Sequence, residues 1–249
     1  VGLLITFVLG LFILFGALAS YLARGNHKIE QLSVAMALGA LATLGLLEIL
    51  PEAIEHLGEG NWLEIGFCAL IGLGLLKLLD LFIPEHDAHY SHHGHEHSYT
   101  EQNIAHVGIV SAIAVTLHNI IEGMAVYSIS EESLAAGAMV ALGVGLHNIP
   151  MGMVLYSTLH KKKNRTIMIT LATCSTFIGG ILMKILLASI SEGVIEHATG
   201  VLIAITLGMI VYIVVFELIP MIMHTKKWAT TIPGILVGMI VVLISIQLG

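Results

Sequence analysis

Charge is what this chain has least of. Ten Lys and Arg and seventeen Asp and Glu make up 11% of its 249 residues, against roughly 25% in an ordinary soluble domain. So few charges exclude a solvated globular fold, and no basic patch is present that would suggest nucleic acid. Cysteine is nearly absent too. Cys68 and Cys174 both fall inside apolar runs, where a thiol is a small packing side chain, so no disulfide framework and no redox compartment follow. His-Glu-x-x-His, the helical signature of zinc hydrolases, does not occur.

What fills the chain instead is hydrocarbon. Apolar residues are 57% of the total and the mean hydropathy is +0.94, which defines an all-α polytopic membrane protein with no room for a separate soluble domain. Windows long enough to cross about 30 Å of hydrocarbon lie at about 1–22, 32–54, 63–83, 104–129, 134–159, 167–190, 198–223 and 231–248. These predict eight transmembrane helices in a single domain, 1–249, interrupted by one longer polar segment at about 84–103. Glycines inside the windows (Gly39, Gly45, Gly72, Gly74, Gly143, Gly145, Gly179, Gly180) predict close helix–helix approach.

Loop charge predicts orientation. Arg24, Lys28, Lys161, Lys162, Lys163, Arg165, Lys226 and Lys227 all lie on one side of the windows, and the opposite loops hold Glu55, Glu59, Glu131, Glu132 and Glu192 but no Lys or Arg. By the positive-inside rule both termini are extracytoplasmic and the 84–103 segment is cytoplasmic. That segment carries His86, His89, His92, His93, His95 and His97. Its imidazoles are candidate loose metal contacts, a buffer or sensor; the plainer reading is a solvated low-complexity loop.

Two stretches inside the apolar windows nearly copy each other. Residues 115–127 read VTLHNIIEGMAVY and residues 144–156 read VGLHNIPMGMVLY, identical at eight of thirteen positions. Polar and ionisable groups at the middle of a membrane helix are costly, so a repeat that keeps both His and Asn marks function. On the fourth window His118, Asn119 and Glu122 share one helical face, since residues three and four apart are neighbours. His147, Asn148 and Met151 repeat the arrangement on the fifth. If the two helices are neighbours, two imidazoles, a carboxylate, two amide oxygens and a thioether converge near the midplane. Such a set suits Zn²⁺ and its first-row neighbours. Pro150 has no N–H for the carbonyl of Leu146, which predicts a kink and a freed backbone oxygen beside the site.

Other charged residues in the windows admit two readings. Glu48, Glu52 and Glu217 either pass a cation to the site or simply reach water at helix ends. Lys184 either pairs with an acid such as Glu122 or snorkels to the outer interface. A weaker symmetry links Glu48-Ile-Leu-Pro51 in the second window to Glu217-Leu-Ile-Pro220 in the seventh. With the antiparallel fourth and fifth windows, it predicts an inverted 3+2+3 arrangement.

At these residues the chain resembles the ZIP family of metal permeases. The resemblance rests on His118-Asn119-x-x-Glu122-Gly123, His147-Asn148-Ile149-Pro150-x-Gly152, Leu50-Pro51-Glu52 and Glu217-Leu218-Ile219-Pro220, together with the eight windows and the His-rich loop. It implies uptake of a divalent metal into the cytosol, typically Zn²⁺ and often Fe²⁺, Mn²⁺ or Cd²⁺, carried as substrate with no cofactor. It further implies a main site of His118, Glu122, His147 and residue 151, and a second one facing Asn119, Asn148 and Glu122. A homodimer is implied, with the first, fourth, fifth and sixth helices rocking or sliding against the rest. Many members carry Glu or His where this chain has Met151, so one metal per site is expected here, with Lys184 supplying charge near the lost ligand. Short loops suggest a prokaryotic plasma membrane. The competing readings are an intramembrane zinc hydrolase, since His₂-carboxylate also activates water, and a metal-sensing membrane protein without flux.

Overall fold

A backbone crossing lipid has no water to satisfy its polar groups, so each apolar window must close its own hydrogen bonds. In the computed structural model they do so as helices. The structure describes residues 1–22, 27–82, 101–159, 165–189, 192–225 and 227–248. The histidines proposed as loop contacts, His86, His89, His92, His93, His95 and His97, lie outside them.

Among the described residues the chain forms α1 (Gly2–Leu22), α2 (His27–Leu44), α3 (Leu50–Leu57), α4 (Trp62–Phe82), α5 (Glu101–Glu132), α6 (Leu134–Leu159), α7 (Arg165–Ser189), α8 (Glu192–Tyr212), α9 (Ile219–Thr225) and α10 (Trp228–Leu248), with no strand. Two π-helical turns, Gly45–Ile49 and Ile213–Leu218, join α2 to α3 and α8 to α9 as continuous rods. Seven stretches of the described residues are long and apolar enough to cross a membrane; α4 is a further helix of 21 residues. The protein is an all-α, multi-pass membrane protein.

Each π turn directly precedes or overlaps the residues before a proline, Pro51 or Pro220. A proline cannot donate to the carbonyl four residues back and crowds it, and widening the preceding turn accommodates both defects. The matched sequence motifs therefore carry matched backbone irregularities. Pro150 behaves differently: α6 runs as one α-helix from Leu134 to Leu159 straight through it.

The rods can be grouped into two bodies that share a packed boundary. In one, α1 packs on α6 and α7, and α5 packs on α6 and α7; in the other, α2 packs on α10 and α4 on α8, with α3 against α8; across the boundary α6 packs on α10 and α2. Glycine explains the closeness within each. A Cβ at Gly16 would strike the carbonyl of Ile149, and one at Gly152 the carbonyl of Ile13, so α1 and α6 meet backbone to backbone. The same reciprocal contact joins α5 to α7 at Gly123 and Gly179, α4 to α8 at Gly72 and Gly208, and α2 to α10 at Gly39 and Gly238. Lipid gives no hydrophobic drive for helix association, so such close packing is the main cohesive term. Gly74 does not follow the expected pattern: it faces open space on α4.

Side-chain hydrogen bonds to backbone carbonyls of neighbouring helices reinforce the first body. Thr176 donates to the carbonyl of Thr6 at 2.8 Å, Asn119 to that of Ala172 at 3.2 Å and Ser20 to that of Met153 at 3.1 Å. The fourth and fifth windows of the duplicated motif are thus α5 and α6, adjacent helices of one body facing α2, α8 and α10 of the other.

Candidate metal centre

Helix periodicity puts His118 and Glu122 one turn apart on α5, and their side chains meet: His118 Nε2 lies 2.6 Å from Glu122 Oε1. From α6, His147 Nε2 approaches the same oxygen, also at 2.6 Å. The other carboxylate oxygen accepts a hydrogen bond from Asn148 Nδ2 at 3.2 Å. The two imidazole rings stand 6.2 Å apart, centroid to centroid. His147 is fully buried, His118 is 2% exposed and Glu122 9%, so the group is almost wholly out of contact with solvent.

One ligand atom each from His118, Glu122 and His147 fits within a span of 4.8 Å. Around a tetrahedral first-row cation, ligand atoms sit about 3.3 Å apart, given bond lengths near 2.0–2.2 Å. The two 2.6 Å contacts are shorter than that spacing, so an ion would part the carboxylate from the imidazoles. Two further buried acceptors of the duplicated motif, Asn119 Oδ1 and Asn148 Oδ1, have no hydrogen-bond partner among the described residues. Buried polar atoms are normally satisfied. Orphaned acceptors beside a carboxylate are the pattern expected where a cation belongs.

A cavity of about 80 Å³ adjoins this cluster, room for several waters or a partly hydrated ion. His118, Glu122, Glu48 and Glu52 line it, as do Ile129 and Val140 toward the α5–α6 turn. From Glu122 to Ile129 the helix rises about 10 Å, so the cavity extends from His118 and Glu122 toward the end of the bundle bearing that turn. Thr206 and Ile203 of α8 complete the wall from the second body.

Toward the other end, polar and aromatic side chains meet across the helices. Ser33 and Ser157 hydroxyls lie 3.0 Å apart, Ser157 reaches Ser20 at 3.5 Å, and Tyr21 packs edge-on against Tyr156. The guanidinium of Arg165 covers the Tyr156 ring at 4.5 Å.

The expected residues therefore divide. His118, Glu122, His147 and Asn148 converge, and Glu48 and Glu52 line the same cavity as His118 and Glu122. Asn119 is buried beside them but gives its amide to α7. Met151 is 1% exposed and packs into the main apolar cluster, and it does not line the cavity. Glu217 is buried within the second π turn. Lys184 lies on the exposed face of α7, whereas the contacts of Glu122 are the two histidines and Asn148. Nothing in the sequence pointed to Ser245 of α10, whose hydroxyl sits 3.4 Å from His147 Nδ1. A lone serine in an apolar run carries no signal of its own.

A bundle of membrane helices enclosing a buried imidazole–carboxylate centre, with an acid-lined cavity leading to it, defines a membrane protein built to handle a cation. Comparison with known proteins gives the family. Residues 83–246 match the model of the ZIP zinc transporter family. The chain is 30% identical to a zinc transporter ZupT of Stenotrophomonas maltophilia (strain R551-3), over 100% of this chain and 95% of the relative. It is 28% identical to a zinc transporter ZupT of Clostridium perfringens, over 98% and 94%, and 29% identical to one of Chlorobium chlorochromatii, over 94% and 91%. The chain belongs to the ZIP zinc transporter family, and is a membrane transporter rather than an enzyme.

Proposed function

We propose that this protein takes up a divalent transition metal, zinc foremost, into the cytosol through a site between α5 and α6 near the bilayer midplane. The observation that carries the reading is the convergence of His118, Glu122 and His147 in a buried setting, with unpartnered acceptors around them. The relatives, named as zinc transporters, agree with it. Fe²⁺, Mn²⁺ and Cd²⁺ are the competitors the same donors accept.

Loop charge sets the direction. With Lys161, Lys162, Lys163 and Arg165 inside, both termini and the α5–α6 turn face outward, and α4 is the eighth span. The cavity then opens toward the outside and the serine–tyrosine contacts lie on the cytosolic side. Glu48 and Glu52 draw a cation inward and help it shed water. Glu122 supplies the anionic ligand, His118 and His147 the neutral nitrogens, and Asn148 orients the carboxylate. Release requires the first body to move against the second, which opens the inner end.

An inverted 3+2+3 repeat accounts for the pairing of helices. Exchanging the first and sixth spans, the second and seventh, the third and eighth, and the fourth and fifth turns the α1–α6 contact into α7–α5, and α2–α10 into α8–α4. Both members of each exchange carry a reciprocal glycine contact, and both proline-linked π turns exchange as well.

One metal per site follows from Glu122 being the lone carboxylate of the ligand cluster among the described residues, with a thioether at Met151 where a second acid would sit. Exposure of Lys184 favours snorkelling over an ion pair. The protein acts as a homodimer in a prokaryotic plasma membrane, without a cofactor. The test is ⁶⁵Zn uptake into proteoliposomes with His118→Ala and His147→Ala: both lose flux while remaining folded. Unchanged uptake in both overturns the site, metal binding without flux favours a sensor, and two ions counted per protomer overturn the single-metal reading.

A further inference from the structure

We infer that Ser245 is a positioning residue for His147, and that it fixes the metal-binding nitrogen of that ring from across the interface between the two bodies. The inference rests on the reading of His118, Glu122 and His147 as the cation site, and adds to it how one ligand is held.

Ser245 lies on α10 and is 2% exposed. Its hydroxyl donates to the carbonyl oxygen of Gly143, one turn before His147 on α6. A hydroxyl has one proton, and this one is committed. Toward His147 Nδ1, 3.4 Å away, the oxygen therefore acts only as acceptor, and Nδ1 carries the hydrogen. With Nδ1 held as a donor, Nε2, which meets Glu122 in this structure, is the nitrogen left to give up its proton to a metal. A histidine ligand held in this way by its other ring nitrogen is aimed and made more basic, and loss of such a partner weakens metal binding.

What distinguishes this brace is where it comes from. The Asn148 bond to Glu122 and the Asn119 bond to Ala172 both lie within the body formed by α1, α5, α6 and α7. Ser245 belongs to the other body, through the packing of α10 on α2. Among the described residues, His147 is the ligand whose hydrogen-bonded support crosses the interface. A slide of an ångström or two, small against the rise of one helical turn, carries a 3.4 Å contact out of hydrogen-bond range. The site is consequently tightest in the arrangement seen here and loosens when the bodies move, so grip and release are tied to the same stroke.

The experiment compares full-length wild type with Ser245→Ala, Ser245→Thr, Ser245→Cys and His147→Ala. Zinc affinity is read by chelator competition on purified protein, and KM and Vmax by ⁶⁵Zn uptake. Ser245→Ala weakens binding and raises KM about tenfold, the lower end of the range for losing such a partner, with Vmax not reduced. Ser245→Thr keeps the hydroxyl and stays near wild type. Ser245→Cys keeps the volume but offers a poor acceptor, and falls with Ala. In ¹⁵N-histidine spectra, the signal absent from His147→Ala changes tautomer in Ser245→Ala. Wild-type affinity in Ser245→Ala, or Cys matching wild type while Thr fails, overturns the inference. If His147→Ala binds zinc normally, the site reading itself falls; if it alone fails to bind, only the role of Ser245 does.

Discussion

Replacing Glu122 with Gln is the sharpest test of the centre, because it removes one charge and almost no volume. In the native chain one carboxylate oxygen serves both imidazoles at 2.6 Å, and the other accepts from Asn148 at 3.2 Å. No second carboxylate of the described residues joins that cluster, so nothing replaces the lost anion. Truncating one member of a desolvated, hydrogen-bonded charged set costs about 2–5 kcal/mol. Taking about 3 kcal/mol, at about 1.4 kcal/mol per decade, zinc affinity falls roughly 100-fold. Chelator competition on purified Glu122→Gln measures this directly, and a thermal melt in detergent establishes that the variant folds. Glu52→Gln, in the same cavity but outside the ligand cluster, weakens binding far less. A folded Glu122→Gln within about threefold of wild type, well under 1 kcal/mol, refutes the assignment of Glu122 as the anionic ligand.

Further outcomes follow from the same geometry. Gly152→Val drives a side chain into the carbonyl of Ile13 and costs about 1–3 kcal/mol, seen as a lowered melting midpoint; Gly66→Ala, with nothing near it, leaves the midpoint unchanged or higher. Lowering external pH from about 7.5 to about 5.5 passes through the ordinary imidazole range near 6.5. Protons then compete with the metal for nitrogen, so uptake at subsaturating zinc falls as pH falls; uptake that holds constant or rises contradicts histidine ligation. Deleting residues 87–97 nearly preserves ⁶⁵Zn uptake, since the centre lies elsewhere, and loss of all activity on deletion points to the sensor reading instead.

The centre was largely legible because buried polar groups in hydrocarbon demand a reason. His118 and Glu122 are joined by helical spacing alone, and the copy at His147 named the partner helix. The glycines at positions 39, 72 and 179 also announced close contacts that the structure contains, although Gly74 carried the same signal and faces open space. Legibility fails where a role depends on which helices become neighbours. Ser245, Thr206 and Ile203 reach the site from α10 and α8, and no local pattern marks them. Proline shows the same limit. Widened turns precede Pro51 and Pro220, where no irregularity was expected, while α6 runs through Pro150 as one helix. Met151 was read as a ligand position from its register in the repeat, and its side chain packs among apolar neighbours.

The glycine contacts also constrain how the protein is made. Gly16 waits for Ile149, and Gly39 for Ile235, so the α1–α6 contact forms only once α6 has been made, and the α2–α10 contact only once α10 has been. The earliest helices enter the bilayer with their small-residue faces unmatched, exposed to lipid or to insertion factors. A chain cut short before α10 leaves α2 without its counterpart. The small-residue face of α2 therefore stays unfilled until α10 arrives.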